Sequence, residues 1–463
     1  MRNMNLWNIK NCTHGKLFNC DDILSKEISC VVSNSRRIRE NCLFICIKGK
    51  NFDGHDFAEQ VIEDGALAVI SEVEFPDADF PYVLVESTFE ATKEMAEFYR
   101  GQINAKVIGV TGSAGKTSTK EMIADILSTT YKVTRTKGNQ NNEWGVPFTI
   151  FDIKEDDEMA VIEMGINHFG EMDRLARMAR PDVVVITNIG LSHLEYLGDR
   201  NGVLEAKKEI FNYLPPYGMV ILNGDDDKLA TILNAKGIQP DFYGFGKGCD
   251  ICAENYQSLG LDGCSFNMVF RTSGAKMTMN VHLKIPGEKM VYNALAATLV
   301  ATKLKVAPLT IKKVLEKFKG VDGRNNIVKT ERYTIVDGAY NASPTSVEAA
   351  VDVMASASGR RVLILGDMYE LGEDSEKLHF QTGQYAGRSG VEVIICIGEL
   401  SEKTVMGAKI TSDSEVKYFK TVDACIEKLP FILEDGDVIL VKASHAMGFD
   451  KIVAWLKSRK PAQ

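Results

Sequence analysis

The stretch Val107-Ile108-Gly109-Val110-Thr111-Gly112-Ser113-Ala114-Gly115-Lys116-Thr117-Ser118 sets the reading of the whole chain. An apolar run ends in a glycine-rich turn, and Lys-Thr-Ser then opens an amphipathic segment. The order is strand, phosphate-cradling loop, helix N-terminus. Gly112 and Gly115 let the backbone bend so that its N–H groups face an anion. Lys116 supplies a positive charge for the outer phosphates of a nucleoside triphosphate, and the Thr117 hydroxyl can reach Mg²⁺. The spacing is T-G-x-x-G-K-T. The longer G-x-x-x-x-G-K-[ST] form would need glycine where Val110 stands. A strand before the loop and a helix after it are the context that this motif requires.

The 463 residues around that loop, 45% of them hydrophobic, can fill several cores, and a chain of this length suggests about two to four domains. A net charge of −9 argues against a nucleic-acid-binding face, although a local basic pocket can still take anionic substrates. Residues 1–26 show no apolar core of a signal peptide. No apolar run approaches the roughly 20 residues that cross a bilayer, so a cytoplasmic protein without membrane insertion is expected. The ten cysteines follow no evident framework and read as free thiols. Cys249-Asp250-Ile251-Cys252 is a lone C-x-x-C without a second ligand pair at zinc spacing.

Three α/β units are expected. In the first, residues 1–102, short strands fall at 43–47, 68–70 and 82–85, with helices at 56–63 and 88–100. In the second, 103–320, continuous Val/Ile runs at 107–110, 159–162, 183–187 and 219–222 suit a buried parallel sheet. Alternation across 250–285 suggests an antiparallel addition, and helices are expected at 288–303 and 309–319. A linker at 320–325 leads to the third unit, 321–463, with strands at 334–336, 362–365, 391–395 and 438–441.

A second group of polar residues falls at strand ends of the central unit. Glu163 closes the run Ala160-Val161-Ile162, and His193 follows the next strand through Thr187-Asn188-Ile189-Gly190-Leu191-Ser192. In doubly wound sheets ligands sit beyond the carboxyl ends of the strands, which is the edge that carries the glycine turn. Glu163 there can hold Mg²⁺ directly or through water. By itself His193 reads more readily as a surface-loop histidine. Ala206-Lys207-Lys208-Glu209-Ile210 reads on composition as a solvated helical face.

Taken together, the loop, Glu163-Met164-Gly165, His193 and Lys207 resemble the ATP-dependent Mur ligases, which build the peptide stem of bacterial peptidoglycan. The resemblance covers nearly the whole chain and is sharpest for the branch that adds D-alanyl-D-alanine. Ser33-Asn34-Ser35-Arg36-Arg37, Lys48-Gly49 and Phe52-Asp53-Gly54-His55-Asp56-Phe57 resemble the family's UDP-binding first domain. Lys137-Gly138-Asn139-Gln140-Asn141-Asn142 with Gly145-Val146-Pro147 resembles the segment that follows the first helix of the central domain. Asp337-Gly338-Ala339-Tyr340-Asn341-Ala342-Ser343-Pro344 resembles a D-D-x-Y-N-A-N-P signature, and Gly366-Asp367-Met368-Tyr369-Glu370-Leu371-Gly372 a G-D-M-x-E-L-G loop. Asn34, Gly338, Ser343 and His445 depart from the family pattern, where Asp, Asp, Asn and Arg are usual. The D-N-P-R signature of the ligases that add the third, diamino acid is absent.

The resemblance implies a three-domain architecture: a central P-loop ATPase domain with a parallel sheet, flanked by an α/β UDP-binding domain and a C-terminal Rossmann-like domain. It implies ATP and Mg²⁺ as cofactors, and UDP-N-acetylmuramoyl-tripeptide and D-alanyl-D-alanine as substrates of a monomer. ATP would phosphorylate the tripeptide's carboxylate, and the dipeptide amine would attack the acyl phosphate. Lys116 is then expected at the β/γ-phosphates and Thr117 at the first Mg²⁺. Glu163 is expected at metal, His193 at a second Mg²⁺, and Lys207 as a carbamate ligand. Thr111, Gly112, Ser113, Ala114, Gly115 and Ser118 complete the nucleotide loop, with Asn293 and Asp337 at adenine and ribose and Tyr340 and Asn341 beside them. Arg324 reads either as a contact to the phosphate end or as an interdomain ion pair. Ser35, Arg36, Lys48, Asn139, Asn141 and Asn142 are expected at the UDP-peptide. Two other readings compete: a ligase of the folylpolyglutamate-synthase or cyanophycin type, and a regulatory ATPase that only switches shape with nucleotide.

Overall fold

A computed structural model describes residues 1–49, 52–272 and 275–461. Its strands form three separate sheets. In the amino-terminal unit β1 (Lys16–Phe18), β2 (Val31–Val32), β3 (Leu43–Ile45), β4 (Ala68–Ser71) and β5 (Tyr82–Leu84) lie in the order β1-β5-β4-β3-β2. All neighbours are parallel except β1 and β5. The expected helix at 56–63 begins later. Asp53 accepts from the His55 N–H and holds Gly54–Phe57 in a 3-10 turn, so the α-helix is Ala58–Glu63. The helix Thr88–Arg100, capped by Ser87, joins this unit to the next. Tyr99 is buried on it and donates its hydroxyl to the Ile153 carbonyl at 2.7 Å. Arg100 Nε donates to the Ala179 carbonyl at 2.8 Å.

The central sheet contains β6 (Lys106–Thr111), β7 (Val133–Arg135), β8 (Met159–Glu163), β9 (Val183–Ile186) and β10 (Met219–Asn223). It continues through β11 (Asp241–Gly244), β12 (Ile251–Ser258), β13 (Cys264–Thr272) and β14 (Ala275–Leu283). The order is β14-β13-β12-β11-β10-β9-β6-β8-β7. From β7 to β12 neighbours are parallel, and the expected antiparallel addition is β12-β13-β14. The chain runs outward from β6 to β7 and β8 on one side and to β9 and its successors on the other. The sheet therefore reverses direction beside β6, where ligand crevices form. Register aligns the strand ends there: Val110 pairs with Glu163, and Thr111 with Ile186.

The third sheet holds β15 (Asn326–Lys329), β16 (Thr334–Asp337), β17 (Arg361–Gly366), β18 (Val393–Ile397), β19 (Glu415–Phe419) and β20 (Val438–Lys442), in the order β15-β16-β20-β17-β18-β19. Only β15 is antiparallel to its neighbour. Six strands were not expected from the sequence: β1, β2, β7, β11, β15 and β19. All but β11 are sheet edges. An edge strand buries less side-chain surface and carries a weaker apolar pattern, as in Glu415–Phe419. The last helix of the central unit ends earlier than expected, at Pro308–Leu315.

Candidate active site

The phosphate loop leaves β6 with Gly112 at φ +143° and Gly115 at φ +81°. A Cβ on Gly112 would stand 1.9 Å from Thr187 Oγ1, and one on Gly115 2.6 Å from Asn293 Oδ1. Close approach and backbone conformation thus both require glycine. The segment after β9 braces the turn. Asn188 Oδ1 accepts from the Ala114 N–H at 2.9 Å, Thr187 Oγ1 donates to the Ala114 carbonyl at 2.6 Å, and Ser113 Oγ accepts from the Gly190 N–H at 2.9 Å. The helix Lys116–Leu127 starts at Gly115, which offers no capping side chain. Its first N–H groups and positive dipole end suit an anion.

Lys116 Nζ folds back to donate to the Gly112 carbonyl at 2.7 Å. Burial pushes this ammonium down to about 8; Glu163 opposes the shift and Arg324 adds to it. Glu163 is 1% exposed. Its Oε1 accepts from Thr117 Oγ1 at 3.1 Å and from Asn141 Nδ2 at 2.8 Å. Its Oε2 is buried and has no hydrogen-bond partner among the described residues. A buried carboxylate oxygen without a donor is costly. Together with a threonine hydroxyl at a phosphate loop, it forms the hard oxygen set that Mg²⁺ takes. No group of three or more His, Cys, Asp or Glu among the described residues could hold a metal unaided. Mg²⁺ bound through one or two carboxylates plus substrate phosphates does not require such a cage.

Lys207 is not on a solvated face, contrary to the reading from composition. It is 2% exposed, while its neighbour Lys208 reaches Glu205 at 2.9 Å. The helix Arg200–Lys208 turns the two lysines to different sides. Burial, and then the charge of Lys116, hold the Lys207 ammonium well below the ordinary lysine range.

His193 adopts a left-handed backbone, with φ +56°. Its Nδ1 shares a short hydrogen bond with Glu370 Oε2 of the third unit. Only Nε2 is thereby left for a cation, which narrows the expected metal role. The His193 ring holds the Glu370 carboxyl below the usual carboxylate range. Arg324 bridges the units by a hydrogen bond to the neutral Thr117 hydroxyl and not by the expected ion pair. Its Nη2 donates to Thr117 Oγ1 at 3.2 Å, so it both touches the loop and ties the third unit to it. Its guanidinium lies 3.7 Å from the centroid of the Tyr340 ring.

Asn293 lies directly against the loop, and its Oδ1 accepts from Thr119 Oγ1 at 3.2 Å. Asp337 is buried at the end of β16, and burial raises its carboxyl pKa. Asn341 Oδ1 accepts from the Ala342 N–H, and its carbonyl accepts from Lys442 Nζ at 2.9 Å. Ser118 is buried in the first turn of the loop helix. Of the residues expected at the UDP-peptide, Asn141 reaches Glu163. Asn142 is engaged otherwise: its Oδ1 accepts from the Gly145 N–H at 2.9 Å, at the start of the helix Gly145–Phe151. Asn139, Arg36 and Lys48 are exposed and Ser35 is half-buried. Asn34 accepts from the Arg36 N–H at 3.0 Å, a cap that aspartate would make equally.

Lys442 was not anticipated as a site residue. It ends β20 beside Asp337, and burial, reinforced by Arg324, pushes its ammonium down to about 7. A lysine closing the apolar run Val438-Ile439-Leu440-Val441 was the available signal. His445 is exposed and its ring centroid lies 5.3 Å from that of Tyr340.

Residues 110–301 match the Mur ligase middle domain, 323–445 the Mur ligase glutamate ligase domain, and 27–108 the Mur ligase family catalytic domain. A UDP-N-acetylmuramoyl-tripeptide–D-alanyl-D-alanine ligase of Bacillus subtilis (strain 168) is 37% identical over 429 residues, covering 91% of this chain and 92% of that protein. The chain belongs to the Mur ligase family. Solved structures agree with this Mur ligase along its length. A MurF crystal structure from Acinetobacter baumannii superposes with a TM-score of 0.88 at 31% identity, covering 98% of this chain and 99% of that one. A MurF ligase from Thermotoga maritima in complex with ADP superposes at 0.79 with 29% identity, covering 92% and 96%. No helix among the described residues of this Mur ligase is long and apolar enough to cross a membrane.

Proposed function

We propose that this chain uses ATP to join D-alanyl-D-alanine to the free carboxyl of UDP-N-acetylmuramoyl-tripeptide, releasing ADP and phosphate. The observation that carries the chemistry is the buried Glu163, whose unpartnered Oε2 sits beside Thr117 at the phosphate loop. In this reading residues 1–102 hold the UDP end, 103–320 the ATP, and 321–463 close over both. Every side chain invoked comes from one chain, so a monomer suffices.

Lys116, released from the Gly112 carbonyl, would bind the β- and γ-phosphates, and the loop N–H groups would hold them in line. Arg324 already touches Thr117 and would turn its guanidinium to the transferring phosphoryl group. A Mg²⁺ held by Glu163 and Thr117 would offset the repulsion between the carboxylate and the triphosphate. Phosphorylation replaces a poor leaving group on the tripeptide carboxyl with phosphate. The dipeptide amine then forms the amide bond, loses a proton, and expels phosphate. Burial, and then the charge of Lys116, disfavour the ammonium form of Lys207, which suits its amine to add to CO₂. Its nitrogen forms the new N–C bond and gives up a proton, and the resulting carbamate offers oxygens where an ammonium would repel a cation. Docking of the third unit would shield the acyl phosphate from water.

A phosphate-release assay tests the proposal. Turnover that requires both the UDP-tripeptide and D-alanyl-D-alanine is expected. Hydrolysis independent of both substrates would overturn it in favour of a nucleotide switch.

A further inference from the structure

The G-D-M-Y-E-L-G loop carries a motif for which the chemistry above has no use, and it packs on residues 193–195 of the central unit. Glu370 has φ +62° and His193 has φ +56°. Two non-glycine residues, on different units and both left-handed, face each other through the Nδ1–Oε2 hydrogen bond. Each such conformation is strained for a residue with a side chain and persists where surrounding structure enforces it. The enforcement is visible. A Cβ on Gly372, at φ +63°, would stand 3.1 Å from the Glu195 Cα, so the loop lies flat on the segment after His193. The Glu195 N–H points to the Glu370 carbonyl at 3.5 Å. The loop follows β17, the strand at which the third sheet reverses direction.

We propose that Glu370 is a positioning residue for His193: by accepting the Nδ1–H it fixes the ring orientation and the tautomer that keeps a lone pair on Nε2. Because Glu370 belongs to the third unit, His193 becomes oriented only when that unit docks beside the phosphate loop. Docking and assembly of the acceptor nitrogen are then a single event. A carboxylate behind a histidine commonly serves in this way, and its loss typically costs about 10–100-fold in affinity or rate. The inference rests on the ligase reading above for its kinetic consequence, but not for its geometry.

The test combines NMR with kinetics on the full chain. With only seven histidines, ¹⁵N-histidine labelling gives a tractable two-bond ¹H–¹⁵N spectrum, and His193→Gln identifies the His193 signals. The parent should show His193 with protonated Nδ1 and bare Nε2. In Glu370→Ala that pattern should average between tautomers, and kcat should fall about tenfold or more while KM for ATP stays within about twofold. Glu370→Gln, whose amide oxygen can accept the same proton, should keep the Nδ1–H form and recover most of kcat. An unchanged His193 pattern in Glu370→Ala would overturn the proposal. So would a tautomer change without loss of kcat, or a loss in Glu370→Gln as large as in the alanine variant. Failure of the ligase reading would appear separately, as a parent protein that does not ligate.

Discussion

Lys116 links acidity to nucleotide affinity in a way that can be measured. Burial brings its ammonium down to about 8 in the nucleotide-free protein. Below that pH the side chain is charged and attracts phosphate; above it the amine is neutral. Bound triphosphate favours the ammonium, so binding above pH 8 must take up a proton. With a free-protein value of about 8, roughly nine-tenths of the sites are charged at pH 7 and about one-tenth at pH 9. ATP should therefore bind about tenfold more weakly at pH 9 than at pH 7, which is about 1.4 kcal/mol. The phosphates are already ionised across this window and contribute little. Isothermal titration in two buffers of different ionisation enthalpy would measure both the affinity and the proton uptake, which should approach about half a proton near pH 8. Lys116→Arg, charged throughout, should bind with no such slope. A flat affinity from pH 7 to 9 in the parent, or an equal slope in Lys116→Arg, would refute the reasoning.

Three further outcomes follow from other contacts. Gly112→Ala forces a Cβ onto Thr187 Oγ1 at 1.9 Å and a side chain into φ +143°; with the backbone strain and the disturbed Thr187 bond it should lower stability by about 2–4 kcal/mol in urea unfolding. Removing CO₂ from the assay should slow the parent and added bicarbonate should restore the rate, whereas Lys207→Ala should be slow under both conditions; a parent indifferent to CO₂ would exclude the carbamate. Arg360→Ala strips a guanidinium at 2.8 Å from Asp437, which is 1% exposed, and should cost about 3 kcal/mol in chemical denaturation. In that variant the buried carboxyl must protonate, so its folded pKa lies above the unfolded value and stability should fall further as pH rises.

Much of the architecture was legible because the deciding signals are local or repetitive. The runs at β6, β8, β9 and β10 are continuously apolar, as strands buried on both faces must be. Edge strands lack that pattern, and β1, β2, β7, β15 and β19 passed unseen. At the site, Glu163 was readable from its position at a strand end, because parallel register brings such ends to one rim. Lys207 was not readable from composition. Lys207 and Lys208 are neighbours in a mixed-charge run, and only the packing of their helix separates the buried amine from the half-buried one.

The sequence alone determined the phosphate loop, since a strand, two glycines and a helix start are contiguous and their geometry is set by backbone torsions within a few residues. It also determined the order of the three α/β units, through the spacing of apolar runs. Tertiary structure decided which polar groups meet. Arg324 reaches Thr117, Glu370 reaches His193, and Lys442 is buried beside Asp337. Those pairs are brought together by sheet order and by docking of one unit on another, which depend on contacts across the whole chain.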